Sequence, residues 1–186
     1  MTKWVLGSGS PRRKELLAGI GVEFTVRTKD TEEVYPENLA PQEVPLFLAE
    51  LKSKALLPDL AENETVICAD TVVILNNEII GKPVDRNDAV SMLKRLSGQT
   101  HEVVTGVFIG NAHKQLLQAD STMVTFTSLT DDEIADYVDN YKPFDKAGSY
   151  GVQEWLGYVA VEKLVGSYTN VMGLPTHVVY KMIAHW

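Results

Sequence analysis

Thr65-Val66-Ile67-Cys68-Ala69-Asp70-Thr71-Val72-Val73-Ile74-Leu75-Asn76-Asn77 is the segment on which the architecture turns. An apolar run continues without a break to Asp70, Val72 to Leu75 continue in extended form, and Asn76-Asn77 reads as a hairpin turn. The segment therefore predicts a central strand followed by a turn. Asp70 is expected where the apolar run ends, and strand ends in α/β sheets are where ligands sit.

Working outward, Trp4-Val5-Leu6 is a short apolar run closed by Gly7-Ser8-Gly9, a strand entering a turn. Ser10 is placed to cap a helix with Pro11 at its first position, and Leu16, Leu17 and Ile20 form its apolar face. Phe24-Thr25-Val26 predicts another strand. Residues 42–57 carry Leu46, Phe47, Ala49, Leu51 and Ala55 at roughly helical spacing, with Glu50, Lys52 and Lys54 expected on other faces. Asp85 to Leu96 predicts a helix capped by Asp85 and stopped near Gly98. His101–Ile109 and Met123–Phe126 read as paired strands, and Thr130-Asp131-Asp132-Glu133 as a capping box opening a helix that ends near Tyr141. Tyr158 to Leu164 is expected to be a strand and Pro175 to Ile183 an amphipathic helix. Hairpins mixed with helices predict an α/β fold with a mixed twisted sheet flanked by helices. Without repeat or linker, residues 1–186 are expected to form a single domain.

The bulk properties narrow the function. At 186 residues, 45% hydrophobic and 23% charged, the chain can build a real core. Lys plus Arg is 17 against 25 for Asp plus Glu, a net charge of −8, whereas a nucleic-acid binder would show a basic surplus. No nucleic-acid partner is expected. Any phosphorylated ligand must be held by a local cluster of cations and backbone amides, which favours a small anion over a polymer. No apolar run reaches the roughly 20 residues that span a bilayer, and MTKWVLGSGSPRR lacks the h-region of a secretion signal. Cys68 is the one cysteine, flanked by Val66, Ile67 and Ala69, and reads as a buried small hydrophobe. The expected setting is the cytoplasm, with no membrane partner.

Ser8-Gly9-Ser10-Pro11-Arg12-Arg13 joins a small-residue turn to a helix N-terminus, which lets backbone N–H groups approach a phosphate. Arg12 and Arg13 oppose the helix dipole there. A bound triphosphate would remove the conflict, and two solvated arginines on a capped surface helix are an equal reading. Asp70 can hold Mg²⁺ or help deprotonate a water. Glu33, in Asp30-Thr31-Glu32-Glu33, could supply a second carboxylate, although a solvated acidic loop is the better reading of that run alone. Gly81-Lys82-Pro83 mounts a lysine on a stiff backbone, and Lys52 and Lys146 are further candidate cations, each more often solvated. His101 in Ser97-Gly98-Gln99-Thr100-His101 is more often structural, and His113, His177 and His185 lack zinc spacing. GxxxxGK[ST], GxGxxG and GxSxG are absent, which disfavours Walker-type ATPases, Rossmann dehydrogenases and α/β-hydrolases.

Together these segments resemble the Maf family, the septum-formation-related nucleotide pyrophosphatases. The likeness adds Leu48-Ala49-Glu50-Leu51-Lys52, Ala69-Asp70-Thr71-Val72-Val73, Ser97-Gly98-Gln99-Thr100-His101 through Gly106, Asp145-Lys146-Ala147-Gly148-Ser149-Tyr150-Gly151-Val152-Gln153, and Gly166-Ser167-Tyr168 through Pro175. It implies an inosine-triphosphatase-like fold of two lobes with a central cleft, commonly a homodimer. It also implies hydrolysis of nucleoside triphosphates to monophosphate and pyrophosphate with Mg²⁺ or Mn²⁺. Carried onto matching positions, Ser8, Arg12, Arg13, Lys52, Lys82 and Lys146 would hold phosphates, with Lys82 counted among the catalytic groups. Glu33 and Asp70 would serve metal and water, and Gln153 would lie near the base. The Lys146–Gln153 stretch looks like the subgroup acting on dTTP and UTP rather than the 7-methyl-GTP type. Two departures stand out: Glu154-Trp155-Leu156 replaces a glycine and one residue fewer, and Lys54 lies close to Lys52. A nucleotide-binding regulatory module linked to cell division is the non-enzymatic alternative, but pure anion binding gains nothing from Asp70 and Glu33.

Overall fold

The computed structural model describes residues 2–186. The strands are β1 (Lys3–Leu6), β2 (Phe24–Val26), β3 (Glu64–Leu75), β4 (Glu78–Ile80), β5 (Thr100–Gly110), β6 (Gln115–Phe126) and β7 (Val161–Val165). The helices are α1 (Pro11–Gly19), α2 (Val44–Leu56), α3 (Arg86–Leu96), α4 (Asp131–Tyr141), α5 (Trp155–Ala160), α6 (Tyr168–Val171) and α7 (Thr176–Ala184). The seven strands form one sheet in the order β2-β1-β3-β5-β6-β7, with β4 paired to β3. β1 runs parallel to β2 and β3, whereas β4 is antiparallel to β3 and β7 to β6. The mixed α/β class is as the sequence predicts.

The chain divides into two compact units. The first holds the residues up to Thr71, Thr105–Asp120 and Gly173–Trp186; the second holds Val72–Val104 and Ser121–Met172. In the first unit the period-2 alternation of strands sorts side chains onto two faces. Val5, Val66, Cys68 and Phe108 pack with Ala49 and Leu56 of α2. Leu6, Ile67, Ala69, Val107 and Ile109 pack instead with Leu17 of α1 and Val178, Val179 and Met182 of α7. A side chain at Gly7 would meet Cys68 Sγ at 2.4 Å, so only glycine lets the chain leave β1 this close to β3. In the second unit, Ala89, Leu93 and Leu96 of α3 and Ile134, Tyr137 and Val138 of α4 pack with Val73, Val103, Val124 and Phe126 of the sheet. Among the described residues, no helix is long and apolar enough to cross a membrane.

Turn and cap chemistry matches the sequence closely. Asn76 and Asn77 adopt φ of 51° and 65° in the hairpin between β3 and β4, as a left-handed two-residue turn requires. Asp85 accepts the Asp88 N–H, and Thr130 and Glu133 form the complete reciprocal capping box. Three expectations are corrected. Asp70 does not end a strand: β3 continues through it for five more residues, because Val72 to Leu75 are themselves apolar and extended. Residues 158–160 are helical, and β7 begins only at Val161. Leu156 and Ala160, four apart and both buried, supply a helical spacing that competes with the β-branched look of the segment. Finally, the Ser10 hydroxyl makes no cap, although Ser10 occupies the N-cap position with Pro11 beside it.

Candidate active site

In the first unit the alternation along β3 decides what each side chain meets. Asp70 follows Val66 and Cys68 on the face covered by α2, and Thr71 follows Ile67 and Ala69 on the face covered by α1. From α2 comes Lys52. It shares a stripe with Leu48, Ala49 and Leu56, three and four residues away, which are buried. The expectation that Lys52 faces elsewhere is thus corrected: helical spacing carries it inward with the apolar residues, and its ammonium bonds Asp70 Oδ1. The same ammonium lies 2.7 Å from Glu33 Oε1. Glu33 stands on the irregular segment before α2 and is exposed, while Asp70 is only 8% exposed. Burial opposes the charge on Lys52, but Asp70 and then Glu33 outweigh it and hold its pKa above the ordinary lysine value. Lys54 is a different case. Its side chain is 63% exposed, against 18% for Lys52, and pairs along the helix with Glu50 at 2.8 Å.

On the other face, Arg13 of α1 spreads its guanidinium over three protein oxygens. Nε donates to Gly173 O at 2.8 Å, Nη2 to Thr71 Oγ1 at 3.1 Å and Nη1 to Ser8 Oγ at 3.5 Å. Thr71 and Thr105 share a hydroxyl hydrogen bond of 2.9 Å. Ser8 Oγ also accepts the Ser10 N–H at 3.2 Å, which shapes the turn entering α1. Burial lowers the Arg13 pKa, and neighbouring Arg12 adds to the lowering while Asp70 opposes it. Two guanidinium groups at one helix N-terminus, one of them desolvated, oppose the helix dipole, a conflict that an anion there would relieve.

The second unit carries Lys82, Lys146 and Gln153. Gly148 N–H donates to Gly81 O at 2.9 Å, so the Gly81-Lys82-Pro83 turn and the Lys146–Ser149 turn lie side by side. Gly148 has φ of 68° and packs against Val73, with no room for a Cβ. Lys82 is exposed. Lys146 is not the solvated side chain expected of an isolated lysine. It is 8% exposed, with Nζ 2.8 Å from Asp145 Oδ1 and 3.1 Å from Glu154 Oε1. The Gln153 amide oxygen is buried without a hydrogen-bond partner. A buried polar atom left so is costly unless something else meets it.

His101 belongs to the core of this unit. Its Nε2 and the Tyr150 hydroxyl share a hydrogen bond of 2.7 Å, and both rings pack edge-on with Phe126. Burial pushes its pKa down to about 4, so at neutral pH it is an uncharged structural group. Cys68 is buried as expected, and burial pushes its thiol up to about 12.

A family model described as Maf-like protein matches residues 3–186. The chain belongs to the Maf family. A Flavobacterium psychrophilum relative named dTTP/UTP pyrophosphatase is 50% identical over 179 residues, covering 96% of this chain and 92% of its own. A Bacteroides fragilis relative of the same name is 51% identical over 180 residues, with 96% and 93% covered. A solved Mycobacterium abscessus protein, described as nucleoside-triphosphatase / dITP/XTP pyrophosphatase, aligns at 11% identity and a TM-score of 0.43 over 99% of this chain and 94% of that one.

For a Maf protein the geometry adds partners that motif reading does not supply. Thr71 is one such residue: counting by two from Ile67 puts it on the α1 face with Arg13. That signal was present in the sequence. The bonds that Glu154 makes to Lys146 and to Tyr137 had no such signal, because Tyr137 and Glu154 lie on different elements.

Proposed function

We propose that this Maf protein hydrolyses nucleoside triphosphates between the α and β phosphates, preferring dTTP and UTP, and releases pyrophosphate. The observation that carries the reading is the convergence of Asp70 and Glu33 on the Lys52 ammonium. A simple anion receptor would have no use for two carboxylates at its cation. Asp70, held on a rigid strand with Lys52 fixing one oxygen, is assigned to take a proton from the attacking water. Ser8, Arg12 and Arg13 at the start of α1, together with Lys52, are assigned to the phosphates, whose charge would otherwise repel that water. Lys82 is assigned to stabilise the departing pyrophosphate, and Lys146 to bind phosphate. Gln153 is assigned to the base. Its orphaned amide oxygen supports that assignment, because a pyrimidine N3–H could complete it.

A divalent metal, Mg²⁺ or Mn²⁺, is part of the proposal. Among the described residues no group of three or more His, Cys, Asp or Glu is placed to hold one, so substrate and water would supply most of its ligands. Glu33 and Asp70 already share one cation, Lys52, and two carboxylates suffice when substrate phosphates and waters complete an octahedral shell. When bound, such an ion would polarise the phosphate oxygens and neutralise their charge. Residues 1–186 are proposed to work as one functional domain in the cytoplasm, with a homodimer as the assembly that the family resemblance implies.

The test is a panel of dTTP, UTP, CTP, ATP, GTP and 7-methyl-GTP with Mg²⁺ or Mn²⁺, measuring pyrophosphate against orthophosphate. The proposal expects pyrophosphate, fastest from dTTP and UTP. Orthophosphate as first product would refute the bond assignment, and equal rates on all bases would remove the pyrimidine preference.

A further inference from the structure

We infer that Glu154 is a positioning residue, whose carboxylate holds Lys146 and the Gly151–Gln153 turn in the arrangement that meets the nucleotide. The inference rests on the reading above that Lys146 and Gln153 contact substrate.

Glu154 stands at the N-cap position of α5 but does not cap that helix with its side chain. The carboxylate is committed elsewhere. One oxygen accepts the Tyr137 hydroxyl proton and the other faces Lys146 Nζ at 3.1 Å. The Tyr137 oxygen in turn accepts the Gly151 N–H at 3.0 Å. Lys146, Glu154, Tyr137 and Gly151 thus form one connected chain of polar contacts, anchored in α4. Its anchor is rigid: Tyr137 is fully buried and stacks on Tyr141 at 5.0 Å between ring centroids.

The backbone around these groups is closely packed. A Cβ at Gly151 would lie 2.8 Å from Glu154 Cδ, and one at Gly157 would lie 1.8 Å from Val152 O. The turn that carries Gln153 is therefore packed against the start of α5 and beside the Glu154 side chain. Lys146 has a second acidic neighbour in Asp145, but the Asp145 side chain is 62% exposed against 20% for Glu154. Water screens an exposed pair far more than a sheltered one, so Glu154 is the partner that fixes the ammonium.

The test is a double-mutant cycle with Glu154→Gln, Lys146→Ala and the double variant, reading KM and kcat for dTTP separately. Glu154→Gln preserves shape and an acceptor for Tyr137 but removes the charge facing Lys146. KM is expected to rise about tenfold while kcat changes less than about threefold, the scale of replacing a charge-assisted hydrogen bond by a neutral one. In the Lys146→Ala background the same substitution should add nothing. Additive effects in the double variant, or a Glu154→Gln protein that matches wild type while Lys146→Ala is impaired, would overturn the inference and leave the proposed function standing. Lys146→Ala with normal KM and kcat would remove Lys146 from the substrate site, and this inference with it. Should circular dichroism show Glu154→Gln unfolded, Glu154→Asp replaces it in the cycle, since it shortens the reach of the carboxylate to Lys146, with the same expected non-additivity.

Discussion

Replacing Asp70 by Asn should separate catalysis from folding. Asn fills the same space on β3, so the packing of Val66 and Cys68 against α2 stays intact. What changes is charge: Lys52 loses its strongest partner and keeps Glu33. Hydrogen bonds to charged groups contribute about 1.5–3 kcal/mol. Lys52 retains one carboxylate and some exposure, so a cost of about 1–2 kcal/mol is expected, or a fall in Tm of about 2–8 °C for a chain of this size. The catalytic loss should be larger. General-base action contributes about 10²–10⁴-fold, equivalent to about 3–5 kcal/mol of barrier. The assay is the initial rate of pyrophosphate release from dTTP well below Tm, with circular dichroism on the same preparation. A folded Asp70→Asn protein within threefold of wild type would refute the assignment of Asp70 as base.

Other expectations follow from neighbouring geometry. Lys52→Ala should lower kcat/KM by about tenfold or more, since truncation leaves Asp70 without its cation, and Lys54→Ala should not, because a surface helix pair contributes only about 0.3–0.5 kcal/mol; kinetics of the two variants distinguish them. The depressed pKa of His101, about 4 against the ordinary 6.5, means that the unfolded chain takes up this proton first. Stability from this group is present above pH 6.5 and is lost as pH falls towards 4, by about 3 kcal/mol. Tm measured between pH 7 and 4.5 should fall less steeply for His101→Gln than for wild type; equal slopes would show that another group is responsible. Cys68, raised to about 12 and buried, should react with a thiol reagent only as fast as the protein opens; rapid labelling of the folded protein would contradict its placement.

The sequence was most legible where local chemistry sets structure. Asn76-Asn77, Asp85 and the Thr130–Glu133 box determine turns and caps through bonds made within a few residues, and each forms where its residues predict. Tyr158 to Ala160 are ambiguous because the strand-like Tyr158-Val159 and the helical spacing of Leu156 and Ala160 point different ways, and burial decides for the helix. Asp70 is legible as a residue but lies inside β3 rather than at its end, because the apolar, extended Val72 to Leu75 carry the strand on into the hairpin with β4. The inward turn of Lys52 follows from the stripe Leu48–Lys52–Leu56, a signal masked by its charge. The contacts from Arg13 to Gly173 O and from Tyr137 to Glu154 arise only when distant segments meet, and no local pattern announces them.

The central claim is that water attacks the α phosphorus with pyrophosphate as leaving group. Hydrolysis of dTTP in ¹⁸O-labelled water, followed by mass spectrometry of both products, tests it directly. The account predicts one ¹⁸O atom in dTMP and none in pyrophosphate. Label in the pyrophosphate, with unlabelled dTMP, would place the attack on the β phosphorus and contradict it.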